Sequence, residues 1–406
     1  MSQNFTTIPE TRQSNSQQGP EAEALGTNTK LCVTDIKSED ILVSRYELQA
    51  ASRDILPNER VAKCLRHRVN AEYPTEILYH PEHKRACYGN LMTCGSVWTC
   101  PVCAAKITER RRKELQAGID VQTADNGALL MFTFTASHSQ LEACETVLSD
   151  MTQAHRKFWA NRFGRNLKDN FGIIGTVRGL EVTHGVNGWH VHFHTLVFFE
   201  GPLSTWDLTL IGKGSQEEWQ KVCAKNGRYA SQKHGFKMTA NRERIADYVA
   251  KNGKDESQWT LSHEVSKSVV KNAKKGGRTP NRLLFDYIRG DKQAGKLYQE
   301  YAMAFKGKSH LKWSKGLREI LGLTAEEKTD EEVMNEYDGN VFVMATLTKS
   351  VWVFILQNDL RAEVLNIASK GSQAELKRFF EGLGQSVDYC RNVYFDGFYF
   401  EVAPDT

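Results

Sequence analysis

Three histidines at alternate positions in an apolar run constrain this chain more than any other feature. The run is Gly188–Phe199, and it holds His190, His192 and His194 among β-branched and aromatic residues. In a β-strand, residues i, i+2 and i+4 project from one face, so these imidazoles share a face and the apolar residues between them point to the other. Imidazoles on a buried surface need hydrogen-bond partners or a metal ion. The spacing therefore predicts a strand that carries a metal site.

Strand geometry limits how many of the three histidines can bind one ion. Neighbouring positions on one face lie roughly 6.6 Å apart, which puts the outer pair, His190 and His194, roughly 13 Å apart. An imidazole nitrogen binds a metal at about 2.1 Å. The pair is therefore His190 with His192 or His192 with His194, and the periodicity does not choose between them.

A tyrosine flanked by cations follows in residues 241–254, which read as a short helix that stops at Gly253. On a helix, Arg244, Tyr248 and Lys251 share a face. Cations one turn away favour the phenolate form of tyrosine and can hold a phosphate, which suits attack on a phosphodiester. Most helical tyrosines only pack, so the metal strand upstream is what makes Tyr248 a candidate nucleophile.

Closely spaced cysteines predict a second metal site. Cys100 and Cys103 form a C-x2-C knuckle, and Cys94 lies six residues before it. Thiolates at this spacing, with glycine and proline turning the backbone, are typical of structural zinc. The candidates for the fourth ligand are Cys64, Cys87, His67 and His83.

Charge is distributed unevenly, although the net charge is only +4. Residues 265–318 hold fourteen Lys and Arg against three Asp and Glu, whereas residues 319–406 hold seven against sixteen. The basic block, which includes Arg278, is predicted to contact nucleic acid. A basic helix over 104–115, with Arg110 and Arg111, is expected to add phosphate contacts. The acidic C-terminal segment is typical of a protein-binding or merely solvated surface.

Several of these segments, taken in order, resemble rolling-circle plasmid replication initiators. The resemblance is closest to the bacterial plasmid Rep family of the HUH endonuclease superfamily, named for two histidines around a hydrophobic residue. It covers roughly residues 60–320. The stretches that carry it are CGSVWTCPVCAAKITERRR, LMFTFTASH, VRGLEVTHGVNGWHVHFHTLVFF, IADYVAK, GRTPNRLLFDY and LKWSKGL. The histidines precede the tyrosine, which is the order of replication initiators; conjugative relaxases place the tyrosine first.

The resemblance implies a set of metal ligands. The family's metal pair corresponds to His192 and His194, with Glu181 on the preceding strand, or His190, as a third ligand. The expected ion is Mg²⁺ or Mn²⁺, which would polarise the scissile phosphate. Structural Zn²⁺ is expected at the cysteines.

The resemblance also implies a nucleophile and a reaction. Tyr248 and Lys251 match the family's Y-x-x-K helix, and Arg244 would assist at the phosphate. The expected reaction is site-specific nicking of single-stranded origin DNA, which leaves a 5′-phosphotyrosine and a free 3′-hydroxyl primer, with strand rejoining at termination. Some relatives carry a glutamate one turn before the tyrosine to activate water. Arg244 stands there in this chain, so the residue that ends a replication round is not identified.

The predicted fold is α+β, an HUH-type antiparallel β-sheet with helices packed on one face. An N-terminal zinc-knuckle segment and a small C-terminal αβ module complete it. The predicted units are a disordered tail (1–30), a zinc-knuckle DNA-binding segment (31–125), the HUH endonuclease core (126–270), a basic helical DNA-contact region (271–320) and an acidic C-terminal αβ module (321–406).

Individual elements are predicted from periodicity and turn residues. Strands are expected at 129–135, 173–184 and 189–199, the last two as a hairpin through 185–188. Helices are expected around 141–163 and 280–307. The apolar run 341–356 is broken by polar residues and is predicted to be a hairpin of two strands, not a membrane span. The C-terminal order is expected to be strand, strand, helix, helix, strand.

Nine cysteines in a long chain, several of them at one ligand-like site, fit a reducing cytoplasm better than a disulfide framework. The expected partners are supercoiled or hairpin origin DNA and the host helicase and polymerase, with no membrane; the oligomeric state is open. The alternatives are an HUH-type transposase, a non-catalytic zinc-dependent DNA-binding regulator, and an oxygenase with a two-histidine-one-carboxylate site.

Overall fold

The computed structural model describes residues 45–81, 84–240, 245, 277–323, 327–336, 341–389, 392–395 and 398–401. The strands are β1 (Thr75–His80), β2 (Arg85–Gly89), β3 (Leu129–Phe134), β4 (Ile173–Gly185), β5 (Gly188–Phe199), β6 (Phe236–Thr239), β7 (Leu311–Trp313), β8 (Val341–Leu347), β9 (Asp388–Tyr389), β10 (Asn392–Phe395) and β11 (Phe398–Glu401). The helices are α1 (Arg45–Ile55), α2 (Pro101–Ala124), α3 (Cys144–Ala160), α4 (Arg162–Phe171), α5 (Thr205–Lys225), α6 (Pro280–Ile288), α7 (Lys292–Phe305), α8 (Leu317–Ile320), α9 (Asp330–Asn335), α10 (Lys349–Gln357), α11 (Arg361–Ala368) and α12 (Gln373–Gly382).

A five-stranded antiparallel sheet carries the histidine strand at its centre, in the order β6-β3-β5-β4-β7. The hairpin β4–β5 closes through a two-residue loop between paired Gly185 and Gly188. Gly188 has φ +87°, and a Cβ there would lie 2.5 Å from the carbonyl oxygen of Ser139, so only glycine fits this turn. The predicted antiparallel sheet and the hairpin are confirmed.

Helices α3 and α5 cover one face of this sheet. Phe193 of β5 and Phe134 of β3 point into this layer, where Phe158 and Trp219 pack against Phe134 at ring-centroid distances of 5.0 and 4.9 Å. The predicted helix over 141–163 is two helices, because Asn161 has an extended backbone and its side chain accepts a hydrogen bond from the Gly164 N–H to cap α4.

The opposite face is divided into an apolar half and a polar half. Leu196 and Phe198 of β5 form the apolar half with Leu115 of α2 and with Ile245, which is 2% exposed. The histidines form the polar half, on the same side of the same strand. Helices were expected on one face only; α2 also covers part of the second face.

A second sheet pairs strands from the N-terminal and C-terminal parts of the described chain, in the order β11-β10-β8-β1-β2, with β9 also pairing with β8. Strand β1 pairs with β2 on one side and with β8 on the other. These strands come from segments 31–125 and 321–406, which sequence analysis assigns to different units.

The predicted hairpin over 341–356 is wrong, because only its first half is a strand. Its second half is α10, which Thr348 caps by accepting a hydrogen bond from the Val351 N–H. The polar residues that suggested a turn therefore start a helix. The C-terminal order becomes a strand, three helices and then short strands. None of the helices within the described ranges has the length and apolar character needed to cross a bilayer.

Candidate metal centres

The β4–β5 register brings a carboxylate to the histidine face. Glu181 lies directly opposite His192, Gly179 lies opposite His194, and Thr183 lies opposite His190. Directly opposed residues in antiparallel strands project to the same face. The hairpin turn, which fixes this register, therefore places Glu181 beside the imidazoles.

Two of the three histidines converge on that carboxylate. Glu181 Oε2 lies 2.8 Å from His192 Nε2 and 3.4 Å from His194 Nε2. One ligand atom from each of the three residues lies within 4.8 Å of the others, which is close enough to bind a single ion. Burial works to raise the pKa of Glu181, but the electrostatic interaction with His194 and hydrogen bonds from both imidazoles outweigh it and hold this pKa well below its usual range.

Thr133 of β3 orients one of these imidazoles. Its hydroxyl lies 3.1 Å from His194 Nδ1, which leaves Nε2 directed at Glu181. The corresponding Nδ1 of His192 is buried and has no hydrogen-bond partner among the residues that the structure describes. Outer contacts of this kind fix the tautomer and ring orientation of a ligand histidine. Thr133 provides such a contact for His194, and no described residue provides one for Nδ1 of His192.

His190 belongs to a different contact. Its Nδ1 lies 2.9 Å from His138 Nε2, and His138 Nδ1 donates to the Asn187 carbonyl at 2.8 Å. The group of three ligand atoms does not include His190. The structure therefore brings together the pair that the resemblance implies, with Glu181 rather than His190 as the third member.

Four cysteine thiols form a second cluster. It consists of Cys64, Cys94, Cys100 and Cys103, and all four side chains are buried. The sulfurs lie 3.5 Å apart for Cys64–Cys103 and 3.7 Å apart for Cys64–Cys100 and Cys94–Cys103. A tetrahedral zinc with Zn–S bonds of about 2.3 Å has sulfur–sulfur edges of about 3.8 Å. The thiols thus have the spacing that a tetrahedral zinc site requires.

Backbone and amide groups support the sulfur of Cys100. It caps α2 by accepting from the Cys103 N–H at 3.5 Å, and it accepts from Gln49 Nε2 at 3.2 Å. Burial works to raise the pKa of Cys100, but hydrogen bonds from the neighbouring thiols outweigh it and hold this pKa well below its usual range.

The other candidates for the fourth zinc ligand lie elsewhere. Cys87 Sγ lies 3.5 Å from His80 Nε2, and burial raises its pKa to about 11. His67 is not part of the thiol cluster, and His83 lies outside the described residues. Of the two cysteines left open by the sequence, Cys64 is the one that meets the other three.

Comparison with known proteins decides the family. Residues 90–352, well over half of the chain, match the family described as replication protein. The chain belongs to the replication protein family. The match includes His192, His194, Glu181 and three of the four clustered cysteines, and it confirms the resemblance to plasmid replication initiators.

Two curated relatives of this replication protein come from Streptomyces. "Protein rep" of Streptomyces lividans is 26% identical over 347 residues, which cover 68% of this chain and 75% of that protein. The "Neomycin resistance protein" of Streptomyces cyanogenus is 27% identical over 136 residues, which cover 27% of this chain and 31% of that protein. No solved structure gives a significant match.

Helix α7 connects the two candidate metal centres of the replication protein. Tyr298 and Tyr301 donate their hydroxyls to the carbonyls of Thr99 and Trp98, beside the clustered cysteines, at 3.0 and 2.9 Å. On the same helix, Glu300 accepts a hydrogen bond from the Trp189 indole at 3.1 Å, next to His190. The cysteine loop and the histidine strand are thus held to one rigid element.

The arginines that were predicted to contact DNA differ in their exposure and ion pairs. Arg111 is 7% exposed and forms ion pairs with Glu114, Glu327 and Asp330. Since its charge is neutralised inside the protein, Arg111 is no longer a candidate for phosphate contact. The remaining candidates are partly exposed: Arg110, which pairs with Glu114, and Arg278, which pairs with Asp291.

The predicted nucleophile lies outside the described residues, together with Lys251 and Arg244. Ile245 is described, three positions before Tyr248. Sequence reasoning assigned no role to Thr133 or His138, although both lie in the motif LMFTFTASH. Alternation in that motif predicts the face of the strand from which Thr133 projects. The neighbouring residue that it contacts depends on strand pairing across 61 residues, which the motif does not encode.

Proposed function

We propose that this replication protein starts rolling-circle replication by nicking single-stranded origin DNA with a tyrosine nucleophile and a divalent metal ion. The observation that carries the proposal is the convergence of Glu181, His192 and His194 on one face of the central sheet. Family membership supports a role in plasmid replication. The chemistry of the three side chains supports a metal-dependent cleavage step.

The donor set fits the expected type of ion. Two imidazole nitrogens and one carboxylate oxygen suit a divalent first-row transition metal and leave positions open for substrate. Of the two ions expected from the sequence, only Mn²⁺ is such a metal, so we propose Mn²⁺ as the better fit. A bound ion would polarise a non-bridging oxygen of the scissile phosphate. Glu181 and Thr133 keep both Nε2 atoms directed at the site.

The anchoring of Ile245 supports Tyr248 as the nucleophile. Ile245 is buried with Leu196, which lies on the same face of β5 as His194, roughly 6.6 Å along the strand. Ile245 is three positions before Tyr248 in the sequence, and three residues of chain span at most about 11 Å. The last described residue before Tyr248 therefore lies on the face that carries the candidate metal site.

The proposed reaction exchanges one phosphoester for another. The phenol oxygen of Tyr248 forms a bond to phosphorus as its proton leaves, and the bond from phosphorus to the 3′ oxygen breaks. That oxygen takes a proton and becomes the 3′-hydroxyl primer. The 5′ phosphate stays on the protein as a phosphotyrosine, and Lys251 and Arg244 are the proposed cations that offset charge on the phosphorane. Attack by a 3′-hydroxyl on the phosphotyrosine would rejoin the strand.

The four clustered cysteines are proposed to hold structural Zn²⁺. A closed thiolate site contributes directly to folding. In this chain it would stabilise the start of α2, whose Leu115 covers the apolar half of the histidine face. Arg110 and Arg278 are the proposed phosphate contacts outside the site. The proposed partners are origin DNA and the host helicase and polymerase.

The proposal is tested by which labelled fragment stays on the protein. Single-stranded oligonucleotides that tile the DNA around the coding sequence are labelled at either end and incubated with protein and Mn²⁺. We expect 3′-labelled DNA to form a denaturation-resistant adduct, and 5′-labelled DNA to release a free shorter product. DNA binding with no cleavage of any oligonucleotide would contradict the proposal and favour a DNA-binding regulator. An adduct on the 5′-labelled fragment would contradict the proposed polarity.

A further inference from the structure

A lysine on the edge of the central sheet shares the face of the candidate metal centre. Lys237 of β6 lies directly opposite Thr133 of β3, and Thr133 lies directly opposite His194 of β5. Because opposed residues project to one face, Lys237 and His194 point to the same side of the sheet. Burial agrees with this register, since Phe236 is buried on the other face and Lys237 is exposed.

The separation places Lys237 beside the reaction site rather than in it. Two strand spacings of about 4.8 Å put its backbone roughly 9.6 Å from that of His194. The four-carbon stem of lysine is flexible and carries a compact positive charge. Its ammonium group can therefore reach a strand of DNA that crosses the histidine face.

The charge of Lys237 is not neutralised within the described part of the chain. No hydrogen bond or ion pair joins the side chain of Lys237 to a described residue, whereas Arg111, Arg228 and Arg278 all have carboxylate partners. An edge-strand lysine can also serve only to prevent edge-to-edge association. The two roles differ in whether the lysine contacts DNA.

We propose that Lys237 is a substrate-binding residue that holds a phosphate of the single strand next to the scissile phosphate. The proposal rests on the proposed endonuclease function, since the scissile phosphate is taken to lie at Glu181, His192 and His194. The bound group is a nucleic-acid phosphodiester, held by its charge and not by its base. Lys237 would thus set the path of the strand across the sheet without taking part in bond breaking.

Salt dependence of binding tests the contact. The Tyr248→Phe protein, which should not turn over, is titrated with a labelled single-stranded oligonucleotide that the wild type cleaves, at several salt concentrations. Each phosphate contact contributes about 0.7 to the slope of log affinity against log salt for single strands. We expect Lys237→Ala to lower this slope by about 0.7 and to weaken binding severalfold at low salt, and Lys237→Arg to retain both.

Lys213→Ala is the matched control. Lys213 is an exposed lysine on α5. The preceding residue, Gly212, packs close to Met238 of β6, so Lys213 lies on the other face of the sheet from Lys237. Lys213→Ala removes the same charge near the same strand but away from the histidine face. Its slope of log affinity against log salt should therefore equal that of the Tyr248→Phe protein. An unchanged slope in Lys237→Ala, or an equal decrease in Lys213→Ala, would overturn the assignment. A change of oligomeric state in Lys237→Ala at unchanged DNA affinity would show that the lysine guards the sheet edge.

A scan of neutral phosphates locates the contact. Each phosphate of the oligonucleotide is replaced in turn by an uncharged methylphosphonate. We expect one position beside the scissile phosphate where the replacement weakens DNA binding by the Tyr248→Phe protein. At that position the replacement should not weaken binding further in the protein that also carries Lys237→Ala. The proposal would be contradicted if the two changes were non-additive at the scissile phosphate itself, or at no phosphate. A wild type that cleaves no oligonucleotide overturns the endonuclease proposal, whereas an unchanged salt slope overturns only the role of Lys237.

Discussion

Glu181 lies directly opposite His192 in the β4–β5 hairpin, and its carboxylate oxygen is 2.8 Å from the imidazole nitrogen of His192. His194, two positions along the same strand, reaches the same oxygen at 3.4 Å. A two-residue turn sets this register, so all three side chains stand on the rigid strands of one hairpin. Sites built on strands hold their geometry better than sites built on loops.

The first prediction concerns the choice of histidines. His192→Ala and His194→Ala should each reduce Mn²⁺-dependent nicking by more than about 100-fold, since each removes a ligand, which costs more than the loss of an outer contact. His190→Ala should retain most activity because His190 contacts His138 and not Glu181. Initial rates of oligonucleotide cleavage, with circular dichroism to check folding, measure this. If His190→Ala were inactive and His194→Ala active, the histidine pair would be His190 with His192 instead.

The second prediction concerns Thr133 as a positioning residue. Thr133→Val keeps the shape of the side chain but removes the hydroxyl beside His194 Nδ1. Loss of such an outer contact typically weakens metal binding by about 10- to 100-fold. We expect the Mn²⁺ concentration for half-maximal nicking to rise by about that factor, while the rate at saturating Mn²⁺ changes little. Thr133→Ser should restore the wild-type midpoint; failure of the serine variant to do so would show that the hydroxyl is not responsible.

The third prediction concerns zinc. Wild type should contain about one zinc per chain, and Cys64→Ser should lower this to near zero and lower the melting temperature, because closed thiolate sites contribute to folding. Cys87→Ser is the matched control, since Cys87 contacts His80 instead of the other thiols. It should keep its zinc. Elemental analysis under reducing conditions measures both, and zinc lost from Cys87→Ser but kept by Cys64→Ser contradicts the cluster.

The fourth prediction concerns acid stability. His155 is buried between α3 and the sheet, and burial lowers its pKa from 6.5 to about 3. The unfolded chain therefore binds more protons than the folded chain between these values. Stability from neutral His155 is complete above pH 6.5 and falls as the pH drops toward 3. At pH 5 the loss should be about 2 kcal/mol.

A comparison of wild type with His155→Gln isolates this contribution. Urea unfolding at pH 7 and at pH 5 gives the change in free energy of unfolding for each protein. The change should be smaller in His155→Gln by about 2 kcal/mol, since glutamine does not titrate. Equal changes in the two proteins would rule out His155 as a source of the acid sensitivity.

The strands around the site could be predicted because their signals are local. Alternation of histidines with apolar residues defines β5, and glycines at 185 and 188 define the turn that sets its register against β4. The three cysteines at 94, 100 and 103 lie within ten residues of chain. Each of these features depends on spacing along the sequence, which periodicity and turn chemistry report directly.

What the sequence did not predict depends on contacts between distant segments. Arg111 reads as a surface cation in a basic helix, but it meets Asp330 from 219 residues away. Lys237 meets the histidine face only through the pairing of β6 with β3, which no local pattern encodes. The polar break at Thr348 fits both a turn and a helix cap, and packing of α10 decided between them. Nonlocal pairing, rather than weak propensity, limited the prediction.

Tyr248 is proposed to attack DNA at the candidate metal centre, and mapping the covalent adduct identifies the attacking residue. The adduct formed by wild type on 3′-labelled single-stranded DNA is digested with protease and analysed by mass spectrometry. A peptide that spans Ile245 to Lys251 and carries nucleotide on Tyr248 is the predicted result. Tyr248→Phe, which removes one hydroxyl and little volume, should bind the same DNA and form no adduct. An adduct on another tyrosine, such as exposed Tyr229, or undiminished nicking by Tyr248→Phe, would show that Tyr248 is not the nucleophile.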